Sequence, residues 1–534
     1  MNSSTRATAV EIASRLQRAG FAAFWVGGCV RDFLLGREPQ DFDIATDARP
    51  EQVEKLFRKT IPVGKKFGVV IVVEGGQRFQ VATFRAEADY QDGRRPEKVV
   101  FANAEADALR RDFTVNGLFF DPLTEKIHDW VGGEKDLRAK IIRTIGAPEE
   151  RFAEDHLRLL RAVRFAAQLG FEIEPKTFAA IKLLAPKIKR ISAERVRDEL
   201  LKLFSLPLSK TTALTPALSP GERENAADAN VNPKFSNFAQ RGKVEIPLLG
   251  ERAGVRAEKH TNYSLAARGL VLLRDSGLLE QILPELAATI SCEQSPDYHP
   301  EGSVFNHIRL MLEKMAANPS SLPDSFGAAS ELLPWAVLLH DIAKPVTAER
   351  DACTGAIHFY GHEKIGAEMA RAILNRLRFP KKQIEEIVAC VLHHMQFKDV
   401  KQMRKATLRR LLLRETFPLE LELHRLDCLG SHGDLELYDF LIQQAEEMKK
   451  KPAIRPPLLT GDDLIRLGMK PGPALGALLN EIREKQLADE LKTPRQAKAW
   501  LKQRLTQRLS AESRSIKNGG APPSRRREEH GRTD

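Results

Sequence analysis

Two aspartates stand two positions apart shortly after a glycine pair: Val26-Gly27-Gly28-Cys29-Val30-Arg31-Asp32 precedes Asp41-Phe42-Asp43. Glycines that follow a strand let backbone N–H groups approach a phosphate, and the next helix can start there. Arg31 adds a planar fork for phosphate oxygens. Alternate side chains of a strand share a face, so Asp41 and Asp43 would project together while Phe42 and Ile44 pack behind. Two such carboxylates repel unless a cation sits between them. Two Mg²⁺ ions ~4 Å apart are what an in-line phosphoryl displacement uses. The pattern points to metal-assisted phosphoryl transfer.

A second set lies further along. Arg158, Arg161 and Arg164 are spaced by three, and Leu157, Leu160 and Val163 run beside them. On a helix these form an arginine ridge and a parallel apolar ridge, so the arginines are expected to be presented rather than buried. Glu154 is expected one turn before Arg158, with Asp155 starting the helix, where negative charge is favourable. An Asp beside an Arg offers acceptors and donors to the edge of a base, and the guanidinium groups beyond can meet a triphosphate. A third set is rich in histidine. His307, the pair His340-Asp341, and Asp427 lie on helical stretches, and the pair ends the apolar run Trp335 to Leu339. Buried charge of this kind must be paired or bound to metal. Mixed imidazole and carboxylate ligands favour a transition metal, and a metal-bound water attacking a phosphoester would be the chemistry.

The elements that must position these groups fall into two kinds. Residues 1–145 read as α/β, with strand candidates Phe21 to Val26, Asp41 to Ala45, Gly68 to Val73 and Phe79 to Phe84. Residues 146–208 read as a helical neck. Residues 209–262 lose all period and are rich in Ser, Thr, Ala, Asn, Pro and Gly, as a flexible low-complexity insertion would be. Helical periodicity returns in a linker (263–298), a histidine-rich region (299–440) and a small bundle (455–506). A basic, irregular tail is expected over 507–534.

The 534 residues carry 83 Lys+Arg against 72 Asp+Glu, a net charge of +11 that suits an acidic partner, nucleic acid first. The composition excludes wholesale disorder, collagen and coiled coil. The five cysteines form no CxxC pair, which argues against a disulfide scaffold and suits a reducing cytoplasm. The densest apolar run, Val69 to Val73, is strand-sized, and Met1 to Gly20 has no apolar core of a secretory signal, so no membrane association is expected.

Residues 21–205 resemble the class II tRNA nucleotidyltransferase and bacterial poly(A) polymerase family. The matching pieces are Gly27-Gly-Cys-Val-Arg-Asp32, Asp41-Phe-Asp43, Arg110-Arg-Asp-Phe-Thr-Val-Asn-Gly117, Glu154-Asp-His-Leu-Arg158 and Ile191-Ser-Ala-Glu-Arg-Val-Arg197. The resemblance implies a polymerase-β-like nucleotidyltransferase head followed by a mainly α-helical body. It implies that Asp41 and Asp43 hold catalytic Mg²⁺. Gly27, Gly28, Arg31, Arg111, Asp112 and Asn116 would then line the triphosphate and sugar. Asp155 and Arg158 would select CTP or ATP in place of a nucleic-acid template, and Arg161 and Arg164 would hold phosphates. One departure is Gln80, where many relatives carry an acid. The segment Arg85 to Val99 resembles the flexible loop of enzymes that add the terminal adenosine.

The order of His307, His340, Asp341 and Asp427 resembles the HD phosphohydrolase superfamily. It implies that these four surround one metal ion, with His362 and His393 or His394 available to a second. The C-terminal bundle resembles the tRNA-gripping tail of HD-containing tRNA nucleotidyltransferases, with Lys470 and Lys492, Arg495, Lys498, Lys502 and Arg504 suited to phosphate. The implied function is addition of C, C and A to a tRNA 3′ end. Poly(A) polymerase and A-adding tRNA nucleotidyltransferase remain open. So do an HD phosphohydrolase with an RNA-binding head and a non-catalytic RNA-binding protein. Oligomeric state and HD substrate are not legible in the sequence.

Overall fold

The computed structural model describes residues 2–39, 41–62, 68–86, 100–205, 264–296, 299–317, 331–450 and 457–518. The expected insertion 209–262 and most of the expected adenosine loop lie outside the described residues.

The head is built on a seven-stranded mixed sheet. Its strands are β1 (Ala23–Val26), β2 (Asp43–Thr46), β3 (Thr60–Ile61), β4 (Val69–Glu74), β5 (Gln77–Thr83), β6 (Phe119–Asp121) and β7 (Lys126–His128), in the order β3-β4-β5-β2-β1-β6-β7. β2 pairs in parallel with β5, setting Asp43 opposite Gln80. It pairs antiparallel with β1, setting Ile44 opposite Trp25. Two-residue periodicity decides which side chains go inward. Ile44, Trp25, Phe79, Val81, Val70 and Val72 are buried. Val26, Ala45, Phe84, Ala108 and Phe119 form a second buried group. The strands that carry the chemistry are thus central, held by pairing on both sides.

The turns around the sheet are equally constrained. Gly27 has φ 75° and caps the helix Gly28–Leu34, a conformation that a Cβ would strain. The one-turn helix Thr114–Asn116 leans on the start of Gly133–Ala139. A Cβ built on Gly133 would lie 2.3 Å from the Thr114 carbonyl oxygen, so nothing larger than glycine fits.

The neck is helical. Pro148–Glu154 opens with proline at its first turn, and Leu157–Leu169 ends at Gly170 in the left-handed region. The two helices are separated by Asp155, whose backbone is extended (φ −147°, ψ 103°). The sequence places the helix start at Asp155; the helix begins two residues later, at Leu157. Leu157, Leu160 and Val163 are buried as the apolar ridge requires. Ala193–Phe204 and Leu265–Asp275 pack so closely that a Cβ on Gly269 would lie 2.6 Å from a Leu203 methyl. The helices Val304–Ala317, Leu333–Leu339, His362–Arg376 and Lys381–His393 follow.

Contacts divide the chain into two compact units. The first comprises Met1–Ser321, Ala329–Leu392 and Leu426–Gly433; the second comprises Leu322–Ala328, His393–Arg425 and Asp434–Asp534. Phe397, Val400, Leu411, Phe417, Leu421 and Leu441 make one core of the second unit. Leu464, Leu478, Ile482, Ala497 and Leu501 make another. A buried ion pair between Arg425 and Glu422 (2.8 Å), capped by the Tyr438 hydroxyl, specifies the first of these cores. The last helix, Pro494–Asn518, runs into the stretch expected as an irregular tail. Among the described residues no helix is long and apolar enough to cross a membrane.

Gly133→Ala is expected to destabilise the head by about 1–3 kcal/mol, because overpacking here meets backbone rather than a movable side chain. Chemical denaturation measures this; an unchanged midpoint would show that the turn yields freely.

Candidate active site and metal centre

Asp41 and Asp43 are both exposed, while Phe42 (3% exposed) and Ile44 (0%) are buried between and behind them. The strand begins at Asp43, two residues later than expected, and Asp41 lies just before it, near enough for its charge to act on Asp43. Desolvation raises the Asp43 pKa above the usual carboxylate range; Arg111 partly offsets this, and the Asp41 charge pushes it up further. A carboxylate such as Asp43, whose ionisation burial opposes, is one that a cation relieves. Gln80 is exposed and register-paired with Asp43 in a parallel ladder, so it shares that face as a neutral amide. These oxygen donors fit Mg²⁺, a hard cation that keeps part of its shell for water and phosphate.

The Gly27 turn brings the main chain close to Arg111, whose Nη1 would sit 3.0 Å from a Cβ at that position. Arg31 lies at 8% exposure and donates from Nη1 to Asn116 Oδ1 (2.7 Å). Asn116 in turn donates to Asp112 Oδ1 (3.2 Å), and Asp112 Oδ2 accepts from Arg161 Nε (2.9 Å). Asp112 is buried and fully engaged, so it positions Arg161 and Asn116 rather than facing open solvent. Burial alone would raise its pKa; Arg161 and Asn116 hold it below the usual range.

The arginine ridge differs from expectation in one member. Arg158 and Arg161 are partly exposed, but Arg164 is buried (8% exposed), with Nε 2.5 Å from Glu199 Oε2. A ridge spaced by three winds around the helix, and its third member reaches the neighbouring helix Ala193–Phe204. The Phe165 ring lies under three guanidinium groups, with Arg164 at 4.0 Å, Arg161 at 5.2 Å and Arg31 at 5.3 Å from its centroid. Glu154 closes the first neck helix and still pairs with Arg158, across the break. Asp155 sits in the break itself. Its Oδ2 is 2.6 Å from Arg195 Nη2, and its Oδ1 accepts from the Leu157 N–H. Asp155 and Arg158 thus flank the start of Leu157–Leu169, each paired with a residue of opposite charge.

Three positioning residues were not singled out from the sequence. Asp107 is 1% exposed and holds both Arg110 and Arg111. Its spacing of three and four on a short helix is a signal that was available. Glu199 and Arg195 are distant in sequence from their partners and gave no local signal.

The histidine-rich cluster lies within the first unit. His307 (0% exposed), His340 (1%) and Asp427 bring one ligand atom each within 4.8 Å of one another. His307 Nε2 is 3.1 Å from Asp427 Oδ1. His340 donates from Nδ1 to the Val337 carbonyl (2.9 Å), and its Nε2 is 3.1 Å from Asp341 Oδ2. His362 donates from Nδ1 to the Phe359 carbonyl (2.7 Å), and its Nε2 is 3.4 Å from Asp341 Oδ1. Fixing Nδ1–H on an acceptor leaves Nε2 as the donor to a metal. His393 belongs to the second unit, where its Nδ1 is 3.2 Å from Glu420 Oε1. Burial alone would lower the His307 pKa, but its hydrogen bonds to the Asp427 and Glu301 carboxylates raise it to about 9. The carboxylates around it hold a proton where a cation would serve. Lys344 Nζ is 2.7 Å from Asp341.

Asp112→Asn keeps the shape of the link to Asn116 but takes the counter-charge from Arg161. We expect a loss of roughly 1–3 kcal/mol at neutral pH. The folded Asp112 pKa is depressed. Its contribution is therefore present above the unfolded value of about 3.9 and lost as pH falls through the folded value. The variant should show a shallower acid limb in thermal unfolding below pH 4; parallel acid limbs would contradict this.

Residues 23–143 match the family described as the poly A polymerase head domain, residues 170–212 the probable RNA- and SrmB-binding site of polymerase A, and residues 303–429 the HD domain. Among curated proteins, the chain is 48% identical to the CCA-adding enzyme of Lactobacillus helveticus over 203 residues, 38% of this chain and 51% of that protein. The match thus spans about half the length of that relative. It is 45% identical to the CCA-adding enzyme of Geobacillus stearothermophilus over 279 residues, 49% of this chain and 69% of that protein. Among solved structures, the Bacillus stearothermophilus CCA-adding enzyme in complex with CTP covers 94% of this chain and 98% of its own, with TM-score 0.61 and 26% identity. A second, a CCA-adding enzyme with ATP, covers 95% and 96% with TM-score 0.55; at 18% identity it speaks for the fold alone. A polymerase-β-like head is followed by a helical body with an HD domain, as the sequence led us to expect, and the chain belongs to the CCA-adding enzyme family.

Proposed function

We propose that the protein is a tRNA nucleotidyltransferase that adds C, C and A to a tRNA 3′ end from CTP and ATP, without a nucleic-acid template. The observation that carries this reading is the juxtaposition of Asp155 and Arg158 beside the Arg161–Asp112–Asn116–Arg31 chain. The charges of Asp155 and Arg158 act on Arg161 and Asp112, and that buried carboxylate bonds both Arg161 and Asn116.

The chemistry follows from the groups present. The tRNA 3′-hydroxyl oxygen forms a bond to the α-phosphorus of the nucleotide. The bond from that phosphorus to the β-phosphate oxygen breaks, pyrophosphate leaves, and the hydroxyl proton passes to solvent. Mg²⁺ held by Asp41 and Asp43 would lower the cost of charge on the attacking and leaving oxygens. Arg31 and Arg111, fixed by Asn116 and Asp107, bind the triphosphate without having to reorganise. Cytosine and adenine both present an exocyclic amino donor next to a ring-nitrogen acceptor. Asp155 can accept from the first while Arg158 donates to the second. Uracil and guanine present a carbonyl where the amino group is required, and that oxygen faces the Asp155 carboxylate. One Asp–Arg pair thus accepts C and A and rejects U and G. The relatives named CCA-adding enzymes, including one structure with CTP, support this reading.

The HD cluster favours a second metal-dependent site in the same chain. Its imidazole and carboxylate donors suit a transition-metal ion. A phosphoester hydrolase activity there would be separate from nucleotide addition.

Pyrophosphate release with tRNA, CTP and ATP tests the assignment. Asp41→Asn and Asp43→Asn are each expected to lower the rate by roughly a hundredfold or more. His340→Ala is expected to leave it within about threefold. Loss on His340→Ala with retention in the aspartate variants would move the activity to the HD site.

A further inference from the structure

We infer that Glu301 is the outer carboxylate of the HD metal centre, orienting His307 and setting how tightly the centre holds its ion. The inference rests on the reading of His307, His340, Asp341 and Asp427 as metal ligands and adds a residue to it. Glu301 lies six residues before His307, outside the His–His–Asp–Asp set.

Glu301 Oε1 is 2.6 Å from His307 Nδ1. Its side chain is only 8% exposed, so this is an interior hydrogen bond rather than a surface contact. The three histidines differ in a telling way. His340 and His362 spend Nδ1–H on neutral backbone carbonyls, of Val337 and Phe359. His307 alone spends it on a carboxylate. A carboxylate on the far nitrogen fixes the tautomer, stops the ring turning and makes the near nitrogen a stronger donor. Packing adds to the restraint, because a Cβ on Gly430 would already lie 3.3 Å from His307 Cε1. Charge points the same way. Asp341, Asp427 and Glu301 bring three negative charges, and Lys344 offsets one of them at 2.7 Å from Asp341. The remaining two match a divalent cation.

A second arrangement uses the same atoms differently. His299, Glu301 and His307 also bring three ligand atoms within 4.8 Å, and His299 Nδ1 is 2.9 Å from Glu301 Oε1. An ion there would take His307 through Nδ1 and force Nε2–H onto Asp427. A neutral imidazole carries one N–H, so the ring serves one side or the other. The inner side has His340, Asp427 and Asp341 within reach; the outer side has one carboxylate and a partly exposed His299 (20%). We therefore place the ion on the inner side and Glu301 behind the ring.

The test is Co²⁺ binding to the full-length chain, followed by visible absorption, which reports imidazole ligands. It is done in an Asp43→Asn background so that the head does not compete. Glu301→Gln keeps size and an acceptor oxygen but removes the charge. We expect it to weaken Co²⁺ binding by about 10–100-fold and to speed dissociation, with the ion-free protein still unfolding cooperatively. His299→Ala should stay within about threefold of the parent, and Asp427→Asn should abolish binding. Equal affinity in Glu301→Gln and the parent would overturn the inference while leaving the HD centre standing. A loss in His299→Ala as large as in Glu301→Gln would put the ion on the outer side and overturn it as well. Failure of the parent to bind Co²⁺ would remove the HD reading itself.

Discussion

Buried guanidinium groups have to be held still by carboxylate partners, and that constraint shapes the first unit. An unpaired buried charge is too costly to persist, so each arginine is matched with a carboxylate. Asp107 holds Arg110 and Arg111, Asp112 holds Arg161, and Glu199 holds Arg164. These pairs are weak grounds for overall stability, because desolvation offsets much of their attraction. Their effect is geometric. They couple the Gly27 turn, the Thr114–Asn116 turn and the two neck helices, so the phosphate end of the site cannot shift without breaking a pair. The Phe165 ring beneath three guanidinium groups provides an apolar floor that lets like charges lie close together.

The same principle recurs with imidazole in place of guanidinium. In the HD cluster the ring orientations are determined by what Nδ1 touches, while Asp427 and Asp341 face Nε2. The two sites nonetheless demand different ions. The head offers only oxygen donors and leaves room for phosphate; the HD cluster offers nitrogen and carboxylate in a buried pocket. On the proposed reading, ligand type would keep two metal sites in one chain apart. The break at Asp155 is the third device. A continuous helix would carry Glu154 and Asp155 on successive positions around its surface. The extended residue instead lets Glu154 brace Arg158 while Asp155 turns to Arg195.

Much of this was legible in the residues, for physical reasons. The alternation of Asp41, Phe42, Asp43 and Ile44 reports burial directly, because a strand has only two faces. The apolar ridge Leu157, Leu160 and Val163 fixes the buried side of its helix in the same way. What could not be read depends on tertiary partners. Nothing near Arg164 says that Glu199, thirty-five positions on, will bury it. The break at Asp155 carries no Pro or Gly; the local pattern permits a continuous helix, and only the pairing with Arg195 on another helix rewards interrupting it. Glu301 looks like an ordinary surface acid until the fold sets it behind His307. Short-range periodicity is written in the chain, whereas charge pairing across helices is decided by packing.

The most direct measurement is the sequence of nucleotides added to three tRNA transcripts, ending before CCA, after its first C and after its second, each offered all four nucleoside triphosphates. The account predicts that each is completed to CCA and then stops, with U and G excluded at every step, and that Asp155→Ala or Arg158→Ala admits them. Long adenosine tracts, or base choice that is unchanged in those two variants, would contradict a template made of protein side chains.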